Sequence, residues 1–250
     1  MIDLELTGKV AIVTGASRGL GRAAAVALIE QGVRVLAVAR SADALNELQS
    51  RAPESVRAQP CDMLDGGAVA ALPGQAIDAF GQLDIVVNNA GIAPAGQFLE
   101  QDQKVWDEVM AVNVTAPATL ARAAGHHMAS QGSGKIINIA STSGILGKAS
   151  LVAYSSSKGA LVQFTKALAA EWAGSGIQVN AIAPGAFATD AQRVVLDSPE
   201  ILKRRLHKIP ARRMGDVDEI GPLVCYLASS QSAFVTGGIF VIDGGESCKL

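Results

Sequence analysis

Short apolar runs alternate with longer, alanine-rich helical patterns along most of this chain. The strand-like runs cover residues 10–13, 33–39, 55–59, 85–87, 135–139, 178–182 and 239–241. The helical patterns fall near residues 20–31, 42–50, 66–80, 102–128, 153–173 and 216–228. Such alternation predicts one α/β domain over residues 1–250, with about seven parallel strands in a doubly wound sheet and helices on both faces. Aromatic residues make up only 4% of a chain that is 49% hydrophobic, so small aliphatic side chains must form the core, as buried parallel sheets prefer.

Two segments interrupt this regular pattern. Pro73 and Gly74 lie inside the helical pattern of 66–80, and a proline inside a helix costs about 3 kcal/mol, so we expect a break or kink there. The segment 185–214 is long, mixed in character and follows a strand, which predicts a substrate lid. Within it, residues 201–213 resemble a helix and its exit loop, and their basic side chains are expected to form a solvated face.

Charge and cysteine content exclude several classes of protein. A formal net charge of -2 gives no reason to expect binding to nucleic acid or to an anionic membrane. The cysteines Cys61, Cys225 and Cys248 match neither a disulfide framework nor a zinc-site spacing, so we expect reduced thiols, no metal site and a cytoplasmic location. No apolar run approaches the ~20 residues that span a bilayer, and the first residues form no signal peptide.

A glycine-rich loop follows the first predicted strand. Gly15, Gly19 and Gly21 lie between this strand and the first helix, in a G-x-x-x-G-x-G spacing. Glycines allow a tight turn and a close approach of the backbone to a pyrophosphate, while the helix N-terminus offers free N–H groups to the anion. A purely structural turn is the alternative. The βαβ context favours a Rossmann-type dinucleotide site.

The second predicted strand ends at Arg40 and Ser41, where an NAD site usually has an acidic residue. Arg18 lies in the glycine loop itself. An arginine can bind a 2′-phosphate through two hydrogen bonds, whereas an acid would repel it. We therefore expect a preference for NADP(H). If Arg40 only faces solvent, NAD(H) remains usable.

Tyr154 and Lys158 begin a helical pattern at a spacing of four residues, which places them on one helix face. A phenol has a pKa of ~10, and an ammonium ~4 Å away contributes ~4 kcal/mol at an effective dielectric of 20. That energy would lower the phenol pKa by up to ~3 units, enough for acid/base catalysis near pH 7. Ser141 follows the strand 135–139 and should lie at the same sheet edge, unless it is only a turn residue.

Together these features resemble the short-chain dehydrogenase/reductase family over nearly the whole chain. The motifs that carry the resemblance are Thr14-Gly-Ala-Ser-Arg-Gly-Leu-Gly21, Asp62, Asn88-Asn-Ala-Gly91, Asn113, Ser141, Tyr154-x-x-x-Lys158, Pro184-Gly185 and Thr189. The resemblance implies that Tyr154 donates the proton in reduction, that Lys158 lowers its pKa and binds the nicotinamide ribose, and that Ser141 orients the carbonyl. It implies that Asn113 holds a helix bend and a water of the proton relay.

The predicted cofactor site follows from the same motifs. It consists of Gly15, Ser17, Arg18, Gly19, Leu20, Gly21, Arg40, Ser41, Asp62, Asn88, Ala90, Gly91, Tyr154, Lys158, Pro184, Gly185 and Thr189. By resemblance, Asp62 contacts the adenine and Thr189 the carboxamide end. Simpler roles remain open for three of the motif residues: a surface residue for Asn113, a turn former for Asp62 and a helix cap for Thr189.

The substrate is less constrained than the cofactor. The predicted pocket contains Ser141, Ser143, Tyr154 and Phe187, and its small apolar wall would include Ala93, Pro94 and Ile145. Lys148 is the charged exception and is expected to face solvent. These residues indicate a small or medium ketone or secondary alcohol, including polyol or sugar derivatives.

Two other functions resemble known members of the family. A 3-oxoacyl-acyl-carrier-protein reductase would dock an acidic carrier, but Gly132 and Ser175 stand where its arginines are expected, although the basic stretch 203–213 could substitute. A non-catalytic cofactor-binding regulator is disfavoured because Tyr154 and Lys158 are both present. The family is often tetrameric, so the helices near 102–128 and 154–173 predict a homotetramer or homodimer; packing on the sheet would give them the same apolar pattern.

Overall fold

The computed structural model describes residues 3–248 and contains a seven-stranded parallel sheet, which confirms the predicted fold class. The ends of the predicted domain, residues 1–2 and 249–250, lie outside this range. The strands are β1 (Val10–Thr14), β2 (Arg34–Ala39), β3 (Val56–Pro60), β4 (Ile85–Asn88), β5 (Gly134–Ile139), β6 (Ile177–Pro184) and β7 (Ile239–Ile242). Their order in the sheet is β3-β2-β1-β4-β5-β6-β7. The strands β2 and β3 are therefore added on one side of β1, and β4 to β7 are added on the other side.

Helices cover both faces of the sheet. They are α1 (Gly19–Glu30), α2 (Ala42–Arg51), α3 (Gly66–Phe80), α4 (Gln103–Met110), α5 (Ala116–Gln131), α6 (Val152–Trp172), α7 (Arg193–Leu196), α8 (Pro199–Lys208) and α9 (Gly221–Ala228). Successive residues of a strand point to opposite faces, so Ala11 and Val13 pack with α1, α2 and α9 on one side. Val10 and Ile12 pack with α3, α5 and α6 on the other. Both faces of β1 are therefore buried, as its continuous apolar sequence requires.

The expected break at Pro73 is wrong, because α3 runs from Gly66 to Phe80 without interruption. The Asp65 carboxylate caps its first turn by accepting the Ala68 N–H at 2.9 Å, and Gly81 ends it in a left-handed conformation (φ 86°). Pro73 itself is buried. Packing of this helix on the sheet therefore outweighs the single backbone hydrogen bond that the proline removes.

The helical pattern of 102–128 is divided rather than continuous. A π-helical turn at Ala111–Thr115 separates α4 from α5, and Asn113 lies within it. The predicted lid, 185–214, contains α7 and α8 and is anchored at its base by Gly215, which exchanges backbone hydrogen bonds of 2.9 Å with Ala186 and Ala188. Across residues 3–248, no helix is long and apolar enough to cross a bilayer, and no group of three or more potential metal ligands comes together.

Candidate active site

The loops after β1 and β4 meet where the strand order changes direction, and Thr14 joins them. Its Oγ1 atom accepts the backbone N–H groups of Asn89 and Ala90, both at 3.0 Å. The Asn89 amide donates in return to the Thr14 carbonyl at 2.9 Å. Sequence reasoning gave Thr14 and Asn89 no role of their own. The sequence signal for this role was that Thr14 and Asn89 are polar residues at the carboxyl ends of β1 and β4, which are neighbours in the sheet.

The glycine-rich loop has the geometry of an anion cradle. Gly15 and Gly19 adopt positive φ values of 69° and 55°, and a Cβ on Gly21 would collide with the Gly15 carbonyl oxygen. No side chain caps α1, since Arg18 at its N-cap position makes no capping hydrogen bond. The first N–H groups of the helix and its positive dipole end are therefore available to a pyrophosphate. Leu20 packs beneath the loop against the core, and Ser17 is partly exposed.

Arg18 and Arg40 are both exposed beside this loop. Within residues 3–248, neither guanidinium forms an ion pair or a side-chain hydrogen bond, whereas nearby Arg22 is paired with Glu47 at 3.0 Å. Ser41 begins α2 without using its hydroxyl as a cap. The second strand therefore ends in one arginine and one hydroxyl that are both available to a phosphate.

Asp62 and Asn88 are engaged within the protein. Asp62 is exposed, and its carboxylate accepts the Leu64 N–H at 3.0 Å, which is the turn-forming role left open above. The Asn88 amide is buried and donates to Asn138 at 2.9 Å, and Asn138 donates to Thr165 of α6 at 2.9 Å. The Asn88 side chain thus begins a series of buried hydrogen bonds across the sheet. Its backbone lies at the carboxyl end of β4, where the cofactor is predicted to bind.

Asn113 fastens the loop after β4 to the start of α6. It is completely buried, accepts the Ile92 N–H at 2.9 Å, and donates to the Ile92 carbonyl at 2.9 Å and to Ser157 at 3.0 Å. Ser157 donates in turn to the Tyr154 carbonyl at 2.7 Å. A Cβ on Gly91 would lie 3.2 Å from Asn113 Oδ1 and 3.5 Å from Lys158 Nζ, so this loop passes close to both polar groups.

Ser141, Tyr154 and Lys158 lie together at the carboxyl end of β5. Ser141 is 8% exposed, and its Oγ atom accepts the Ser143 N–H at 3.1 Å, which leaves the hydroxyl proton free to donate. Lys158 is buried, donates to the Ile139 carbonyl at 2.7 Å and lies 5.8 Å from the centre of the Tyr154 ring. Burial lowers the pKa of Lys158 to about 8.

The predicted lowering of the Tyr154 pKa does not occur in this structure. Burial raises the pKa of Tyr154 above its usual value, and interaction with the Ser141 hydroxyl offsets this only in part. Lys158 does not hold the phenolate because its ammonium is turned toward the Ile139 carbonyl. The phenol therefore stays protonated at neutral pH, which is the form that a proton donor needs.

The predicted lid and pocket residues differ in burial and in the contacts that they make. The Thr142 hydroxyl donates to the Pro184 carbonyl at 3.4 Å, and the Thr189 methyl group lies 3.5 Å from a Cβ built on Gly19. Thr189 makes no capping hydrogen bond, so the helix-cap alternative is not realised. Phe187 is only 4% exposed and packs against Gly215, where it supports the base of the predicted lid. The other predicted wall residues, Ala93, Pro94, Ser143 and Ile145, are partly buried or exposed, and so is Gly185 of the predicted cofactor site.

Comparison with known proteins agrees with this geometry. A family model described as enoyl-(acyl carrier protein) reductase matches residues 15–247. Galactitol 2-dehydrogenase (L-tagatose-forming) of Cereibacter sphaeroides is 39% identical, covering 96% of each chain. A 3-oxoacyl-acyl-carrier-protein reductase of Vibrio cholerae is 34% identical over 97% of this chain and 98% of that protein. The crystal structure of a gluconate 5-dehydrogenase from Burkholderia cenocepacia, in complex with NADP and tartrate, is 32% identical with a TM-score of 0.94, covering 99% and 98% of the chains.

These similarities extend over nearly the whole chain and include its site. The chain belongs to the short-chain dehydrogenase/reductase family, as its motifs predicted. It is an oxidoreductase that acts on CH–OH groups.

Proposed function

We propose that this protein uses NADP(H) to interconvert a ketone and a secondary alcohol on a small or medium substrate derived from a polyol or sugar. The observation that carries the proposal is the shared position of two sites at one sheet edge. Ser141 follows β5 at the same sheet edge as the uncapped N-terminus of α1, which can bind a pyrophosphate. The loop after β4 joins the two sites, because a Cβ on Gly15 would lie 3.0 Å from Ala90 Cα and a Cβ on Gly91 would lie 3.5 Å from Lys158 Nζ. Free donors at the glycine loop and the unpaired Arg18 and Arg40 fit a nicotinamide dinucleotide with a 2′-phosphate.

When bound, the reduced cofactor supplies the hydride. The Ser141 hydroxyl, whose oxygen already accepts the Ser143 N–H, donates a hydrogen bond to the substrate carbonyl and orients it, while it keeps its own proton. Tyr154 holds its proton because burial raises its pKa, and it donates that proton to the oxygen on which negative charge develops. Lys158 keeps one N–H on the Ile139 carbonyl, so its other donors can bind ribose hydroxyls. Asn113 keeps the start of α6 and the loop after β4 in register.

The cofactor preference rests on charge. Arg40 stands where an acidic residue would have favoured NAD(H), and Arg18 lies in the glycine loop; neither guanidinium has an ion-pair partner among residues 3–248. The related gluconate 5-dehydrogenase was crystallised with NADP, which supports the same preference here.

Substrate size and polarity are inferred from the pocket wall and from the relatives. Ala93, Pro94 and Ile145 are small or apolar, and two similar proteins are named for polyol and sugar-acid substrates. A panel of polyols, sugar acids and simple ketones, assayed at 340 nm with NADP⁺ or NADPH, tests the proposal. We expect turnover of at least one compound, and Tyr154→Phe should abolish it while NADPH still binds. Unchanged turnover in Tyr154→Phe would refute the assigned mechanism.

Reduction of a 3-oxoacyl chain on a carrier protein is the second candidate. The Vibrio cholerae relative and the exposed basic residues of α8, such as Lys203 and Arg204, favour it. Gly132 and Ser175 count against it, since the corresponding arginines are absent. Fast reduction of an acyl-carrier substrate, with no turnover across the panel above, would establish this candidate instead. A homotetrameric or homodimeric assembly and a cytoplasmic location complete the proposal.

A further inference from the structure

Lys158 contacts both ends of the short segment that carries Ser141. Its ammonium group donates to the carbonyl of Ile139, the last residue of β5, at 2.7 Å. Its backbone lies against Gly144, since a Cβ built on Gly144 would be 2.5 Å from the Lys158 carbonyl carbon and 2.7 Å from the oxygen. Ser141 lies between these two contacts. One residue of α6 therefore holds the segment 139–144 at its beginning and at its end.

A 3₁₀ turn links Gly144 to Ser141, so that the two residues move together. The turn covers Thr142–Gly144 and begins at Ser141. The Gly144 N–H donates to the Ser141 carbonyl at 3.0 Å, and the Ser143 N–H donates to the Ser141 hydroxyl oxygen at 3.1 Å. Any displacement of Gly144 would therefore be passed to the Ser141 hydroxyl, which interacts with the Tyr154 phenol.

The contact between Gly144 and α6 leaves no room for a side chain. The nearest atoms to a Cβ at this position all belong to the backbone of Lys158 and Gly159, at 2.5, 2.7 and 2.8 Å. Backbone atoms inside a helix cannot turn aside as the end of a flexible side chain can. An alanine at this position would have to move the segment by about 1 Å to reach an ordinary contact distance. Misplacing a reacting group by ~1 Å can lower a rate by about 10²-fold.

We propose that Gly144 is a positioning residue, whose close contact with the Lys158 backbone sets the place of the Ser141 hydroxyl relative to Tyr154. The inference rests on the proposed function, in which Ser141 orients the substrate carbonyl and Tyr154 supplies the proton. It gives Lys158 a second task besides binding ribose. The φ value of Gly144 is not positive, so the close approach, and not the backbone conformation, requires a glycine here.

An alanine substitution at Gly144 tests the proposal, and Gly147 provides the matched control. Gly147 lies in the same loop, has no atom within 4 Å of a Cβ and does not have a positive φ. The assay uses whichever compound of the panel turns over fastest. Gly144→Ala should lower kcat by about tenfold or more, with a smaller change in KM. Gly147→Ala should leave both constants within about twofold of the wild type.

A double-mutant cycle with Ser141→Ala separates a loss of positioning from general damage. If Gly144→Ala acts by moving the Ser141 hydroxyl, it should lower kcat by no more than about twofold in a protein that already carries Ser141→Ala. The full loss in that background would overturn the proposal, and so would wild-type kcat in Gly144→Ala.

A second variant covers the case in which Gly144→Ala does not fold. Gly159→Val perturbs the same contact from the helix side, because a Cβ on Gly159 would lie 3.4 Å from the Gly144 carbonyl oxygen. Gly159→Ala, which places only that Cβ at an ordinary contact distance, is its control. The outcomes stated for Gly144→Ala in the cycle with Ser141→Ala then apply to Gly159→Val.

A spectroscopic measurement distinguishes failure of this inference from failure of the proposed function. The chain has two tyrosines, Tyr154 and Tyr226, so labelling with tyrosine carrying carbon-13 at Cζ gives two NMR signals, and Tyr154→Phe assigns them. Ser141→Ala should shift the Tyr154 signal at pH 7, and Gly144→Ala should shift it in the same direction. Gly147→Ala should leave it in place.

The two readouts together decide between the proposals. The expected shifts without turnover of any panel compound would support the positioning role and refute the proposed function. Turnover by the wild type, with a Tyr154 signal that Gly144→Ala does not move, would overturn the positioning role while the proposed function stands. A signal that does not respond to Ser141→Ala would also overturn it, because the Ser141 hydroxyl would then have no influence on the phenol.

Discussion

Lys158 should lower the stability of the folded protein, so that its removal stabilises the chain even though it abolishes activity. Burial lowers the pKa of Lys158 from 10.5 to about 8. At ~1.36 kcal/mol per pKa unit, keeping this ammonium charged at pH 7 costs the folded state about 3 kcal/mol. A buried methionine carries no such cost, but it forfeits the hydrogen bond to the Ile139 carbonyl, worth about 1 kcal/mol. We therefore expect Lys158→Met to raise the free energy of unfolding by about 2 kcal/mol.

The pH dependence gives this prediction its sign. Between pH 8 and 10.5 the unfolded chain binds the lysine proton and the folded chain has released it, so wild-type stability rises with pH in this window. The advantage of Lys158→Met should therefore be full below pH 8 and shrink toward pH 10. Urea unfolding followed by circular dichroism at pH 7 and pH 10, at two protein concentrations to detect linked dissociation, measures it.

A lysine on the same helix provides the control. Lys166 is exposed two turns farther along α6, and Lys166→Met should change stability by less than about 0.5 kcal/mol at either pH. A Lys158→Met protein less stable than wild type at pH 7 would refute the reasoning. An advantage that does not vary between pH 7 and pH 10 would show that packing, rather than the buried charge, is responsible.

Four further predictions concern the cofactor, the proton, the support of the site and the assembly. Arg40→Ala should weaken NADPH binding at least tenfold, with little effect on NADH binding. Arg51→Ala, an exposed control, should change the affinity for neither cofactor. Equal affinities of the wild type for NADPH and NADH would contradict the proposed preference. Alcohol oxidation requires the Tyr154 phenolate, and burial raises the pKa of the Tyr154 phenol. The value of kcat/KM for oxidation should therefore still be rising with pH at pH 9, and a plateau below pH 8 would refute this prediction. Asn113→Ala removes the three hydrogen bonds of a fully buried side chain and should destabilise the protein by about 2–4 kcal/mol while lowering kcat. A loss of kcat at unchanged melting temperature would mean that Asn113 acts on the chemistry alone. Light scattering after size exclusion should give four chains or two, and a monomer would contradict the expected assembly.

Much of the fold could be predicted because the relevant signals are local. A strand buried on both faces has a continuous apolar sequence, and residues 10–13 and 85–87 show that pattern clearly. Gly15 and Gly19 mark the loop because only glycine adopts their positive φ values without strain. Pro73 misled the prediction since its cost is also local, whereas the packing of α3 that outweighs it is not.

The candidate site shows where sequence reasoning ends. The spacing of Tyr154 and Lys158 correctly places both side chains on one turn of α6, but it carries no information on what else surrounds them. Burial reverses the expected direction of the Tyr154 pKa, and the Ile139 carbonyl, supplied by the neighbouring strand, takes the Lys158 ammonium. Likewise, no pattern in the sequence joins Asn88 to Thr165, because the chain of hydrogen bonds between them exists only once β4, β5 and α6 have packed.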